Sequence, residues 1–397
     1  MVLNDIAKEI GVLKYDLVPE GMHKYYPVPE ERKAQLCSAG LIDHLQEKFD
    51  FFGEFYQAVR DAWLELEKNE RMKAYVDAAC LYMMDNEYES VNQIKTPELD
   101  GTPVMDFFCL YIHLPSIESA YEKYLQRGFD TDTAKLYMKN YYNCLAGAVK
   151  SVPGRPALTR TFLSWQSLYT KARLFRHGGF NFEVHRHKDA YILKNKETGE
   201  VLPLSIPQKI TASGKVFGSA GENNEEGAFE ASFEETEDAY VGYPAKDGYY
   251  VNEKATFPKS EWNLLMKPGD NFIDIHIPKD CDISVEAFRA AMEGAKKIIA
   301  RGFAEYEPKM FHCYSWLLSK DLETMLKPES KILSFGNCFT RYPHKDPAGK
   351  SVFSFVFPKT FKGPYEELPE DTSLMRALKK HYIEGKFVLG YAGVIEL

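Results

Sequence analysis

An imidazole and a carboxylate two residues apart on a strand project from the same face, and His276 and Asp274 in NFIDIHI have that spacing. Ile273, Ile275 and Ile277 take the other face, so the polar pair points away from the apolar side. An imidazole titrates near the pH at which a general base is useful, and Asp274 is placed to orient it. The competing reading is a single structural hydrogen bond beneath a covering helix. In FHCYSW, Cys313 and Ser315 share one face and Tyr314 and Trp316 the other. Cys313 is a candidate acid or nucleophile, although free cysteine is also among the residues most often buried. Trp316 reads as packing. His185 and His187, with His177 nearby, are spaced so that two rings on one strand can face an ion. No third ligand of defined spacing accompanies them, and no metal is expected.

The elements that must position these groups change character along the chain. The first third is helical. In LIDHLQEKFDFFGEFYQAV, Leu41, His44, Leu45, Phe49, Phe52, Phe55 and Val59 recur every three or four residues, as a buried helix face requires. Asp130 precedes TAKLYMKNYYNCLAGAVKSV as a helix-start signal. Helical periodicity gives way to strand periodicity at 170–178. FNFEVHR then alternates, with Phe180, Phe182 and Val184 on one side and Asn181, Glu183 and His185 on the other. A hairpin turns at Thr198-Gly199, and residues 215–227 read as a mobile Gly-rich loop. After NFIDIHI, Ser284 is the N-cap of a helix from Val285 to Arg301, closed by Gly302. MFHCYSW is the next strand. ILSFGNCFTRY and VFSFVFP read as strands around a turn at Pro347–Gly349. SLMRALKKHYIEG is a last helix and FVLGYAGVIEL a last strand.

Composition bounds the rest. The chain has 397 residues, comfortable for two domains, with 45% hydrophobic and 27% charged residues. A net charge of -9 argues against a broad nucleic-acid surface. The seven cysteines are scattered and no CxxC pair occurs, which fits reduced thiols. The first residues carry Asp5 and Glu9 and do not read as a signal peptide. No window approaches the ~20 apolar residues that span a bilayer. A cytoplasmic protein with no membrane and no nucleic-acid partner is expected.

Ordered patches resemble a bacterial family of acyltransferase-domain proteins, which join a helical N-acyltransferase domain to a domain like the Gcn5-related N-acetyltransferases (GNAT). YEKYLQRGFDTDTAKLYMKN, RLFRHGGFNFE, KPGDNFIDIHIPKD, HCYSWLLSKDLETMLKPESKIL and LPEDTSLMRAL carry the likeness in the family's order and spacing. The resemblance implies an α+β protein: a helical domain over 1–174, then a GNAT-like mixed α/β domain with a central twisted sheet over 175–397. It also implies acyl transfer from acyl-coenzyme A to an amine acceptor, with the pantetheine arm in a gap between strands 271–277 and 310–316. Such transfer needs a base for the amine proton, an oxyanion donor and an acid for the thiolate. On this reading His276 and Asp274 line the site, and Ser315 or Cys313 lies near the thioester. Ile277, Lys279 and Ser284 are the candidates for coenzyme A contact. The loop PKDCDIS departs from the family of true acetyltransferases, which have a glycine-rich turn there. Asp280 and Asp282 satisfy the helix dipole themselves and repel a pyrophosphate. That departure keeps open a non-catalytic small-molecule or protein-binding protein that has lost the usual coenzyme A loop, and His177, His185 and His187 leave a third reading, a small-molecule hydrolase or metal enzyme.

Overall fold

The computed structural model describes residues 2–12, 18–152, 154–349, 351–357, 361 and 363–397. The chain divides into two compact units, Met1–Leu174 and Phe175–Leu397.

Among the described residues the first unit is helical: α1 (Val2–Glu9), α2 (Ala39–Phe49), α3 (Tyr56–Glu67), α4 (Glu70–Asp85), α5 (Tyr88–Val91), α6 (Pro103–His113), α7 (Ile117–Gln126), α8 (Thr131–Ser151) and α9 (Arg160–Thr170). Side chains start several of them. Asn69 accepts from the N–H groups of Arg71 and Met72, and Asp130 from that of Thr133. Thr102 accepts from Met105, with Pro103 in the first turn. Each cap satisfies an amide that has no partner within its helix. From Met105 to His113, α6 is buried on every side, so its nearly continuous apolar run is the centre of this unit. The amphipathic segment LIDHLQEKFDFFGEFYQAV is broken at Asp50, whose φ of 47° ends α2. His44, expected on the buried face, is exposed and bonds Glu118 at 2.9 Å, while Ile42, Leu45 and Phe49 are buried.

The second unit is built on a six-stranded sheet. Its strands are β1 (Leu174–His177), β2 (Phe180–Arg186), β6 (Asn271–His276), β7 (Met310–Ser315), β9 (Tyr391–Glu396) and β8 (Thr340–Pro343), in that spatial order. Inserted after β2 is a smaller sheet of β3 (Ala190–Asn195), β4 (Val201–Ser205) and β5 (Trp262–Met266), with further short strands between β4 and β5. Residues 215–227, expected as a loop, hold turns and isolated bridges at Val216 and Ser219, whose side chains are buried. The central sheet is mixed: β6 and β7 are parallel, joined through α10 (Val285–Gly302), and the registered pairs around them are antiparallel.

One face of this sheet is apolar and covered by helices. Phe180 and Phe182 of β2, Ile273 and Ile275 of β6 and Phe311 of β7 lie there. Phe288 of α10 packs 5.4 Å from Phe180, and Phe335 of α11 (Lys331–Gly336) packs 4.9 Å from Phe288. Two expected strands are helices. ILSFG is α11, started by Ser330, and only Thr340–Pro343 of that stretch is a strand. SVFSFV is α12 (Ser351–Val356), whose Val352, Phe353 and Val356, with Phe357 just beyond, join Leu378 and Tyr382 of α13 (Ser373–Ile383) in one core. Both segments carry apolar residues at spacings of two and also of three to four, so packing decides between the periods.

Candidate functional site

The opposite face of the central sheet is polar at its centre. Register places Glu183 beside Asp274, and Asp274 beside His312. His276, one pleat further along β6, faces the same way. Elsewhere this face is apolar: Phe272, Met310, Tyr342 and Val394 pack under Ile192 of β3 and Met266 of β5. The polar groups therefore sit where the smaller sheet's cover ends.

They form a chain of alternating imidazoles and carboxylates. His276 Nε2 lies 2.7 Å from Glu183 Oε2, and His185 Nδ1 lies 3.2 Å from Glu183 Oε1. Asp274 Oδ1 bonds His312 Nδ1 at 2.9 Å, and its Oδ2 is 3.8 Å from His276 Nε2. Burial opposes the charge on Glu183, yet the His185 imidazole beside it and the bond from His276 outweigh it and hold the carboxyl at about 2. An ionised Glu183 only accepts, so His276 carries its hydrogen on Nε2 and its basic lone pair at Nδ1. Burial likewise disfavours a charged His276, but the bond to Glu183 and the field of Asp274 prevail and raise its pKa above the ordinary 6.5. Glu183 is buried, whereas the His276 side chain is 30% exposed.

The pairing of the strands that carry this cluster is uneven. β6 stays paired to β2 from Asn271 to His276, and β7 to β9 from Met310 to Ser315. Between β6 and β7 themselves, the ladder pairs among the described residues are Ile273–Phe311 and Asp274–His312, and pairing ends there. His276 lies two residues past that last rung on β6.

The other expected site residues are distributed differently. Cys313 lies on the apolar face, fully buried, and burial pushes its thiol well above the ordinary range. Ser315, on that same face by alternation, accepts from Leu317 N–H at 3.2 Å and starts a short 3-10 turn at Trp316, which packs against the α12–α13 core. Neither shares a face with His276. Ile277 follows β6 directly, and Lys279 is exposed beyond it. Ser284 caps α10 by accepting from Ala287 N–H, while Asp282 accepts from the N–H and hydroxyl of Ser284. The first turn of α10 is thus partly satisfied by the chain's own side chains. His177, His185 and His187 do not converge: His177 lies over Gly294 of α10, His185 faces Glu183, and the His187 ring is 5.9 Å from that of His312. Sequence reasoning did not single out Glu183 or His312. The signal available was alternation alone, which puts Glu183 on the polar side of β2 and His312 with Tyr314 on β7.

Comparison with known proteins agrees with this architecture. Residues 174–395 match the family model described as the GNAT-like C-terminal domain. In structure, the chain is similar to an acyltransferase mutant in complex with octanoyl-CoA, at 13% identity and a TM-score of 0.57, covering 96% of this chain and 100% of that one. It is similar at 14% identity, with the same TM-score and coverage, to an acyltransferase in complex with decanoyl-CoA and teicoplanin. No curated protein matches the chain in sequence. Among the described residues, no helix is long and apolar enough to cross a membrane.

Proposed function

The chain belongs to the family of the GNAT-like C-terminal domain, and from that premise we propose that it moves an acyl group from acyl-coenzyme A to an amine acceptor. The observation that carries the reading is His276, held by buried Glu183 and standing where the pairing of β6 and β7 ends. The thioester arm enters that gap. The amine nitrogen attacks the thioester carbonyl, His276 takes the amine proton, the C–S bond breaks, and coenzyme A leaves as a thiolate that is then protonated. Glu183 orients His276 and stabilises the imidazolium formed during attack; Asp274 adds its charge from the neighbouring position. The similar acyltransferases hold octanoyl- and decanoyl-CoA, which makes medium-chain donors the first to try.

The capped, acidic start of α10 favours a second reading, a non-catalytic binding protein without the usual pyrophosphate cradle. One experiment separates the two. The full chain is heated with millimolar decanoyl-CoA, and thiol release is followed with a panel of primary amines. A raised Tm and amine-dependent thiol release support transfer; no shift at that concentration sinks it.

A further inference from the structure

Beside the proposed acyl-transfer site, the loop following β2 meets β7 in a second cluster that this function does not use. His187 engages the Ala190 carbonyl through Nε2 at 2.7 Å. His312 engages Asp274 through Nδ1 at 2.9 Å. Each ring therefore has one nitrogen left, His187 Nδ1 and His312 Nε2. Both are buried, and neither has a hydrogen-bond partner among the described residues. A buried imidazole nitrogen without a partner is costly, and two together call for a ligand. Asp189 supplies the third group, its Oδ2 being 4.0 Å from His312 Nε2. One donor atom from each of His187, Asp189 and His312 lies within 4.8 Å of the other two. His344 Nε2 lies 3.4 Å from Asp189 Oδ2 and pairs with that carboxylate from outside the group.

We propose that His187, Asp189 and His312 bind a first-row divalent metal ion, zinc foremost. Two imidazoles and a carboxylate are ligands of the kind zinc takes, and a water in the fourth position closes a tetrahedron. Outer partners orient metal-bound histidines through their second nitrogen, and here Ala190 and Asp274 occupy that position. The ion would tie the loop after β2 to β7. The other carboxylate–histidine group, Glu183, Asp274 and His276, is less suited, because His276 Nε2 and Glu183 Oε2 already bond each other.

The test is zinc titration of the chelator-treated full chain by calorimetry and thermal shift, without any acyl donor, so that its failure leaves the acyl-transfer reading standing. The expected result is one zinc per chain with Kd below about 1 µM and a Tm that rises with zinc concentration. H187N and H312N should each weaken binding by more than the about 10–100-fold that loss of an outer partner costs, and D274N by about that amount. H44N, at an exposed position of α2, should bind as the wild type does. In case the variants fold poorly, Co2+ added to the wild type should give the intense visible bands of a tetrahedral site. Absence of saturable zinc binding by the wild type, absence of those bands, or zinc affinity unchanged in folded H187N and H312N overturns the proposal.

Discussion

His276 Nε2 donates to Glu183 Oε2 across 2.7 Å, between two neighbouring antiparallel strands. The residues are 93 positions apart in sequence, and they are offset along the strands: the direct cross-strand neighbour of Glu183 is Asp274. A buried carboxylate thus reaches diagonally to a half-exposed imidazole and sets its tautomer. The carboxylate expected to do this, Asp274, makes its shorter bond to His312.

If His276 is the base, H276A should lose about 100–10,000-fold in kcat/KM for acyl transfer and keep its circular dichroism spectrum. E183Q separates positioning from simple stability. With an anion beside it, His276 should give the acidic limb of the wild-type kcat/KM profile an apparent pKa above 6.5. A neutral glutamine removes that support while burial remains, so the limb should move to lower pH as the maximal rate falls. A profile identical to the wild type's would remove Glu183 from the mechanism.

The same pair makes folding stability depend on pH from both sides. Glu183 is held at about 2, below its ordinary 4.5, so its contribution is complete above about 4.5 and is lost as pH falls toward 2. His276 is raised above 6.5, so its contribution is complete below 6.5 and is lost as pH climbs through the raised value. The joint contribution is greatest between about 4.5 and 6.5. Urea denaturation across pH 3–9 should show the difference between wild type and E183Q peaking in that window. Each tenfold difference in proton affinity between the folded and unfolded chain is worth about 1.4 kcal/mol there. A pH-independent difference would rule out this linkage.

Local signals in the sequence carry the elements of the site further than the site itself. The polar face of NFIDIHI and the Ser284 cap are properties of a few adjacent residues, and the structure has both. Helices α11 and α12 read as strands in sequence because short apolar runs fit two periods, and the deciding contacts come from Phe288 and Tyr382, far away in the chain. Glu183 and His312 escape notice for a related reason. Their importance comes from the strand placed beside them, and strand register across an insertion of some eighty residues leaves no local trace.

Cys313 offers a check on which face of the sheet is chemical. It is fully buried on the helix-covered side and its thiol is pushed well above the ordinary range, so it is neither thiolate nor accessible. C313A should retain acyl transfer within about twofold and lose on the order of 1 kcal/mol of stability. In the native protein Cys313 should resist a thiol reagent that labels it rapidly in urea, read by mass spectrometry of the peptide. Loss of activity in a folded C313A protein would return this residue to the mechanism.

The turn between β1 and β2 sets how closely α10 approaches the sheet, and glycine there is required twice over. Gly178 has φ +56°, a conformation that side chains rarely adopt. A Cβ built on it would stand 2.5 Å from the Ala291 Cβ and 2.9 Å from its Cα, so α10 itself would have to move. Gly199 has a similar φ of +74° but meets no atom within 4 Å. G199A should therefore cost only the backbone strain, about 1 kcal/mol, while G178A adds a helix displacement and should cost at least about 2–3 kcal/mol. Because α10 joins β6 to β7, G178A should also weaken any decanoyl-CoA thermal shift, whereas G199A should leave it intact. Equal stability losses in the two variants would show that α10 can shift without cost, and the close packing at Ala291 would then not be what positions the helix.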